Sequence, residues 1–389
     1  MRADLLVFVG LRLLSGVLSL VFFSLLARWF SAAETKPLYY FLFLSGFFAS
    51  VLRTLITVAA ALRHDESKAM KLRRLCHAYA LVLMCAMGLI PVALWVCSGV
   101  MPTAWVAATL VAFLLLWGVD VDILRAALGR PGLVAPLGAL GALLAMVSVT
   151  VTHSPQGAFA AILLQWAPLC AVNAYVLWRL RRRVLGSFKY RGMLRHPAAW
   201  VALATATFDG VVLNAPFFLS TITAPELGKS IGVVTRVFAT SVILMPLLTH
   251  WSNGNALGKT ADALGAPVPL LFGGLIAGTG LCAGAAIALM FAFIAGTPPS
   301  GVELMASTLL LLGFAATATS ARYCTTQMWV VALGLVLVGG SAIGAVRLTI
   351  QGTGGVLAVA GVQTVSLCLG AAWMFAMNWV SRKAKQSGP

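Results

Sequence analysis

Acid is what this chain has least of. Asp and Glu number 10 against 27 Lys and Arg, and charged residues of either sign make up 10% of the 389 residues. A soluble domain needs much more polar surface than that to coat its interior, so a soluble globular protein is excluded. The chain has no CxxC and no Cys/His cluster. Its seven cysteines (Cys76, Cys85, Cys97, Cys170, Cys282, Cys324 and Cys368) lie singly in or beside apolar runs. That spacing excludes a disulfide framework and gives no metal site, and leaves the cysteines as small apolar residues. Walker loops, GxSxG elbows, HExxH motifs and carboxylate pairs outside the apolar runs are all missing, so neither enzymatic activity nor a cofactor is expected. The glycine-rich Gly352-Thr353-Gly354-Gly355 lacks a strand–helix context for phosphate and reads as a turn before the last apolar run.

What is present is hydrophobic length. Apolar residues make up 61% of the chain. They fall into runs of about twenty, the length a helix needs to cross a hydrocarbon core. The pattern predicts an all-α polytopic membrane protein of about twelve spans. These lie near 5–30, 38–62, 75–98, 103–124, 133–152 and 158–178, then 198–221, 229–250, 266–294, 302–320, 328–347 and 355–380. Pro102, Pro131, Pro155, Pro225, Pro298 and Pro299 fall at or between spans, where turns belong. Arg2 ahead of an apolar run, with Ser31-Ala32-Ala33 behind it, loosely resembles a signal peptide. The run is too long for one and Arg12 interrupts it, so an uncleaved first span is expected.

The basic residues orient the spans. Alternate connections hold Arg63, Lys68, Lys71, Arg73 and Arg74, then Arg125, Arg130, the stretch from Arg179 to Arg195, Lys259, Arg322 and Arg382 to Lys385. The other side holds only Arg28, Lys36, Lys229 and Arg347. Both termini are therefore expected in the cytoplasm. The net charge of +17 becomes an insertion signal and an attraction to anionic headgroups, with no call for nucleic acid. Trp105, Trp200, Trp251, Trp329 and Trp379 fall near span ends, as an interfacial aromatic belt would.

Two halves echo each other. Gly157, Gln165 and Cys170 in the sixth span recur as Gly355, Gln363 and Cys368 in the twelfth, each 198 residues on. A duplicated six-helix unit follows. The expected division is a lobe over 1–180, a basic cytoplasmic linker over 181–197 and a second lobe over 198–389.

Ionisable residues inside spans are expensive and default to function. Here they are Arg12 in the first span, Arg53 in the second, Asp209 in the seventh and Arg236 in the eighth. Snorkelling to the headgroups is the alternative for Arg12 and Arg236, and a structural pair with either arginine is the alternative for Asp209. Arg53 sits mid-span, where snorkelling explains it least. Asp120 and Asp122 lie close to Arg125 and Arg130 at a span end and read as interfacial pairing. Thr54, Thr57, Thr205, Thr207, Asn214 and Thr235 surround the buried charges and would line a wet cavity, or else satisfy neighbouring backbone. Three arginines against one aspartate favour an anion, with guanidinium forks matched to phosphate oxygens.

This arrangement resembles the multidrug/oligosaccharidyl-lipid/polysaccharide (MOP) exporter superfamily over essentially the whole chain. The resemblance rests on the Leu124-to-Arg130 stretch, on Gly157 to Gln165, on Val234 to Leu248 and on the Gly354-Gly355 opening of the twelfth span. It is greatest to the lipid-linked oligosaccharide (Wzx-type) flippases. It implies two six-helix lobes, with helices 1, 2, 7 and 8 lining a central cavity. It also implies diphosphate contacts at Arg12, Arg53 and Arg236, a coupling or gating group at Asp209, and polar lining from Thr54, Thr57, Asn214 and Thr235. The partners implied are a lipid-linked glycan, membrane lipids and polysaccharide polymerase or export proteins, in the bacterial inner membrane. The sequence departs from the superfamily pattern at Glu34 to Tyr40 and at Pro225 to Ser230. The two extra helices usual in lipid II flippases are missing, which points away from a peptidoglycan role. A multidrug or cation antiporter of the same fold, and a non-transporting subunit of a polysaccharide complex, are the competing readings.

Overall fold

The computed structural model describes residues 2–31, 34, 134–186, 197–242, 262–263, 265, 267–295, 299–324, 328–352 and 354–386. Its helices are α1 (Arg2–Trp29), α2 (Val134–Thr152), α3 (Pro155–Gly186), α4 (Pro197–Thr223) and α5 (Pro225–Ser241), followed by α6 (Val268–Ala295), α7 (Gly301–Tyr323), α8 (Met328–Gln351) and α9 (Val356–Gln386). They coincide with the first and the fifth to twelfth expected spans. The second, third and fourth spans lie outside the described residues. Five helical stretches among the described residues are long and apolar enough to cross a membrane: Ala160–Arg182, Val268–Ala286, Gly301–Tyr323, Trp329–Gln351 and Val356–Ala384. The chain is a multi-pass membrane protein built of helices, the secondary structure that satisfies its own backbone polar groups in lipid.

Local chemistry sets the helix starts. Proline opens α3, α4 and α5, at the position where its missing N–H costs least. Ser300 and Glu303 form a reciprocal capping box at the start of α7. Ser31 and Glu34 repeat it: the Glu34 carboxylate accepts from the Ser31 amide at 2.8 Å and from its hydroxyl at 2.7 Å. These bonds hold the exposed Glu34 below the usual carboxylate range. Ser31, in the stretch that loosely resembles a cleavage site, thus carries a capping-box bond pattern with Glu34.

The chain divides into two compact units, residues 1–18 with 29–206, and residues 19–28 with 207–389. In the first unit α2 and α3 pack as a hairpin closed at His153, whose φ of 43° lies in the left-handed region. The His153 ring meets Trp29 at 4.6 Å between centroids. The α2–α3 seam is made of small residues: Ala142, Ala145, Ala158 and Ala161 are buried, and a methyl group added at Gly141 would strike the Gln165 carbonyl. Lipid tails are as apolar as leucine, so such close backbone approach replaces the hydrophobic drive that assembles a soluble core.

In the second unit α7 packs against α5, α6 and α9, and α9 packs also against α8. Val234 and Phe238 of α5, Leu310 and Leu311 of α7 and Ala360 of α9 form one buried cluster, with Leu213 of α4 against it. Glycines again admit neighbours: Gly280 faces Leu311, Gly313 faces Leu367 and Gly370 faces Phe208. Leu270, Leu333, Val336, Leu337, Leu348, Val365 and Leu369 are exposed, as lipid-facing side chains are. Cations sit over aromatic rings near the C-terminal ends of α3 and α9: Arg181 over Trp178 at 4.8 Å and Lys383 over Trp379 at 4.1 Å. Both pairs suit a headgroup interface.

Candidate functional site

Asp209 lies at the middle of α4, with apolar neighbours on both sides along the helix. The residue is partly exposed, but its Oδ1 is sealed off and has no hydrogen-bond partner. The other side of the carboxyl hydrogen-bonds the hydroxyl of Thr317 on α7, a fully buried residue. That hydroxyl also lies 3.0 Å from the Phe314 carbonyl. It has one proton to give. With Asp209 ionised, Thr317 donates to the carboxylate; with Asp209 protonated, the acid donates to Thr317 and the hydroxyl turns to Phe314.

The other residues expected at the site are placed as follows. Asn214 is half-buried on α4, and its Nδ2 donates to the Gly210 carbonyl at 2.7 Å. Thr235 is half-buried on α5 and donates to the Ile231 carbonyl at 2.9 Å, while Thr205 on α4 bonds the Val201 carbonyl at 2.8 Å. These three hydroxyl and amide groups turn onto their own helices, the backbone-satisfying alternative weighed above. Arg236 is half-buried on α5 and engaged with neighbours. Arg12 lies on α1, in the first unit, and its side chain is outside the described residues. Arg53, Thr54 and Thr57 also lie outside them. The structure therefore joins α4 and α5 through the cluster at Leu213 and Val234, the residues just before Asn214 and Thr235.

Two participants were not anticipated from the sequence. Thr317 lies in the Ala316-Thr317-Ala318-Thr319-Ser320 run, where three hydroxyls inside an apolar span were the available signal. Gln363 marks the internal repeat, yet its contact is with α4. Its Nε2 donates to the Val212 carbonyl at 3.0 Å and to the Leu213 carbonyl at 3.3 Å. Chemically, the cluster offers a carboxyl with one free oxygen in a low-dielectric setting, able to take up a proton or a small cation. Among the described residues no group of His, Cys, Asp and Glu forms a metal site.

The architecture has known counterparts. The chain is similar to a MATE protein crystallised in complex with MaL6, with a TM-score of 0.56 and 14% identity over 98% of this chain and 96% of that one. It is also similar to the lipid II flippase MurJ in an inward closed conformation, with a TM-score of 0.53 and 10% identity over 95% of this chain and 87% of that one. At such identities the likeness is one of fold alone. No protein-family model matches the sequence, and no curated protein does.

Proposed function

We propose that this protein is a flippase that carries an undecaprenyl-diphosphate-linked oligosaccharide across the bacterial inner membrane for cell-surface polysaccharide synthesis. The observation that carries this reading is the charge imbalance inside the spans: Arg12, Arg53 and Arg236 against the single Asp209. The diphosphate would dock on the arginines, whose planar forks match its oxygens. The polyprenyl tail would stay in lipid. The frame proposed for it is twelve spans in two pseudo-symmetric six-helix lobes, 1–180 and 198–389, joined by a basic linker over 181–197, with both termini cytoplasmic. Alternating access of the lobes would release the glycan outward. Thr54, Thr57, Asn214 and Thr235 belong to the polar lining in this proposal, and Asp209 to the return step, as the group that exchanges an ion or senses the membrane potential. Fold likeness to a lipid II flippase supports a lipid carrier. Polysaccharide polymerase or export proteins are the expected partners.

Likeness to a MATE protein, together with the unpartnered Oδ1 of Asp209, favours a second reading: a cation antiporter. A cavity for cations should be dominated by acids, and away from their ends the expected spans supply only Asp209.

The deciding experiment is complementation. In a strain lacking the gene, Arg53→Gln is expected to abolish surface glycan while the protein still reaches the membrane at wild-type level. Full complementation by Arg53→Ala contradicts the anion site.

A further inference from the structure

The hydrogen-bond ladder of α4 is broken at Pro216, which lies inside the helix. Proline has no N–H, so the Val212 carbonyl four residues earlier has no donor in its own helix. Val212 is buried, and a carbonyl shut away from water in that state needs another partner. Gln363 of α9 provides one, through an amide that reaches Val212 at 3.0 Å and Leu213 at 3.3 Å from a buried side chain. One helix thus completes the backbone of another.

The two helices are not equivalent. α9 is tied into the second unit by two further side-chain bonds to backbone. Trp373 Nε1 donates to the Val330 carbonyl of α8 at 3.1 Å, and Asn378 Nδ2 to the Tyr323 carbonyl at the end of α7 at 3.2 Å. Its Leu367 also seats against Gly313 of α7. α9 is the anchored side of the Gln363 bond. α4 is the side with a proline break, and Asp209 lies one turn before the Val212 carbonyl.

We propose that Gln363 is a positioning residue: a latch that closes the proline break of α4 from α9 and so fixes the half-helix that carries Asp209. Bending α4 at the break breaks this bond, and forming the bond holds α4 against the anchored helix. The latch follows from the geometry of α4 and α9 alone, so it stands or falls separately from the choice of substrate.

The test is a double-mutant cycle on the full-length protein in lipid nanodiscs, read by hydrogen exchange of the α4 amides at 217–220 and by exchange in α7 as an internal control. Gln363→Met keeps the length of the side chain and removes the donor. It is expected to speed exchange at 217–220 by about tenfold and leave α7 unchanged, as local opening of one element would. Pro216→Ala restores the missing N–H to Val212, and in that background Gln363→Met is expected to change exchange by less than about twofold. Pro216→Gly restores the same donor and serves where the alanine variant does not insert. Equal acceleration in both backgrounds would mean that Gln363 only packs, and overturns the latch. So does unchanged exchange on removing the donor from the native sequence.

Discussion

At the residue scale, the proposal turns on one carboxyl with an unmatched oxygen. Asp209 shares the Thr317 hydroxyl with the Phe314 carbonyl and leaves Oδ1 bare. A group with no such role would be costly to keep in a membrane span. Asp209→Asn preserves volume and removes the charge. It is expected to leave membrane insertion intact and to lower glycan export by roughly tenfold or more, with the residual export no longer responding to collapse of the ion gradient. Export at the wild-type rate with the wild-type ion dependence would remove Asp209 from the mechanism. Asp209 was legible in the sequence, because a charge inside an apolar run stands out at any register. Its partner was not. Thr317 is 108 residues away in sequence (317 − 209), and only packing of α4 beside α7 brings the two together. Gln363 was legible as a repeat marker, but its bond to Val212 depends on how two helices meet.

At the element scale, the helices at the first and the fifth to twelfth expected positions were readable because bilayer thickness fixes the length of an apolar run. Helix ends were less so. α3 continues to Gly186 and α9 to Gln386, past their apolar runs, because arginine and lysine sustain a helix outside the lipid as readily as leucine does within it. Ser31 and Glu34 carry the capping-box pattern in the stretch that loosely resembles a cleavage site, a pairing the sequence reading did not draw out. Small residues at seams give a prediction for whole helices. Gly141 faces the Gln165 backbone, which cannot yield, whereas Gly278 faces open space. Gly141→Leu is expected to part α2 from α3 and to destabilise the protein by about 1–3 kcal/mol or more. Gly278→Ala is expected to be neutral or to stabilise α6 by up to about 1 kcal/mol through helix propensity. Thermal midpoints of the two variants in one detergent check this. A lower midpoint for Gly278→Ala than for Gly141→Leu would contradict the packing described for α2 and α3.

At the scale of the whole molecule, composition alone assigned the chain to the membrane, and the fold shared with MATE and MurJ agrees with the likeness read from short motifs. The likeness is one of fold alone, so the proposed cargo rests on charge: the excess of Arg12, Arg53 and Arg236 over Asp209 in the expected spans is what would set a diphosphate carrier apart from a cation antiporter. The most direct measurement places the purified protein in liposomes with a fluorescent undecaprenyl-diphosphate oligosaccharide in one leaflet and follows its arrival in the other. The wild-type protein is expected to move the lipid, inorganic pyrophosphate to compete with it, and Arg53→Gln to move none. Equal rates for the wild type, Arg53→Gln and empty liposomes would contradict the account.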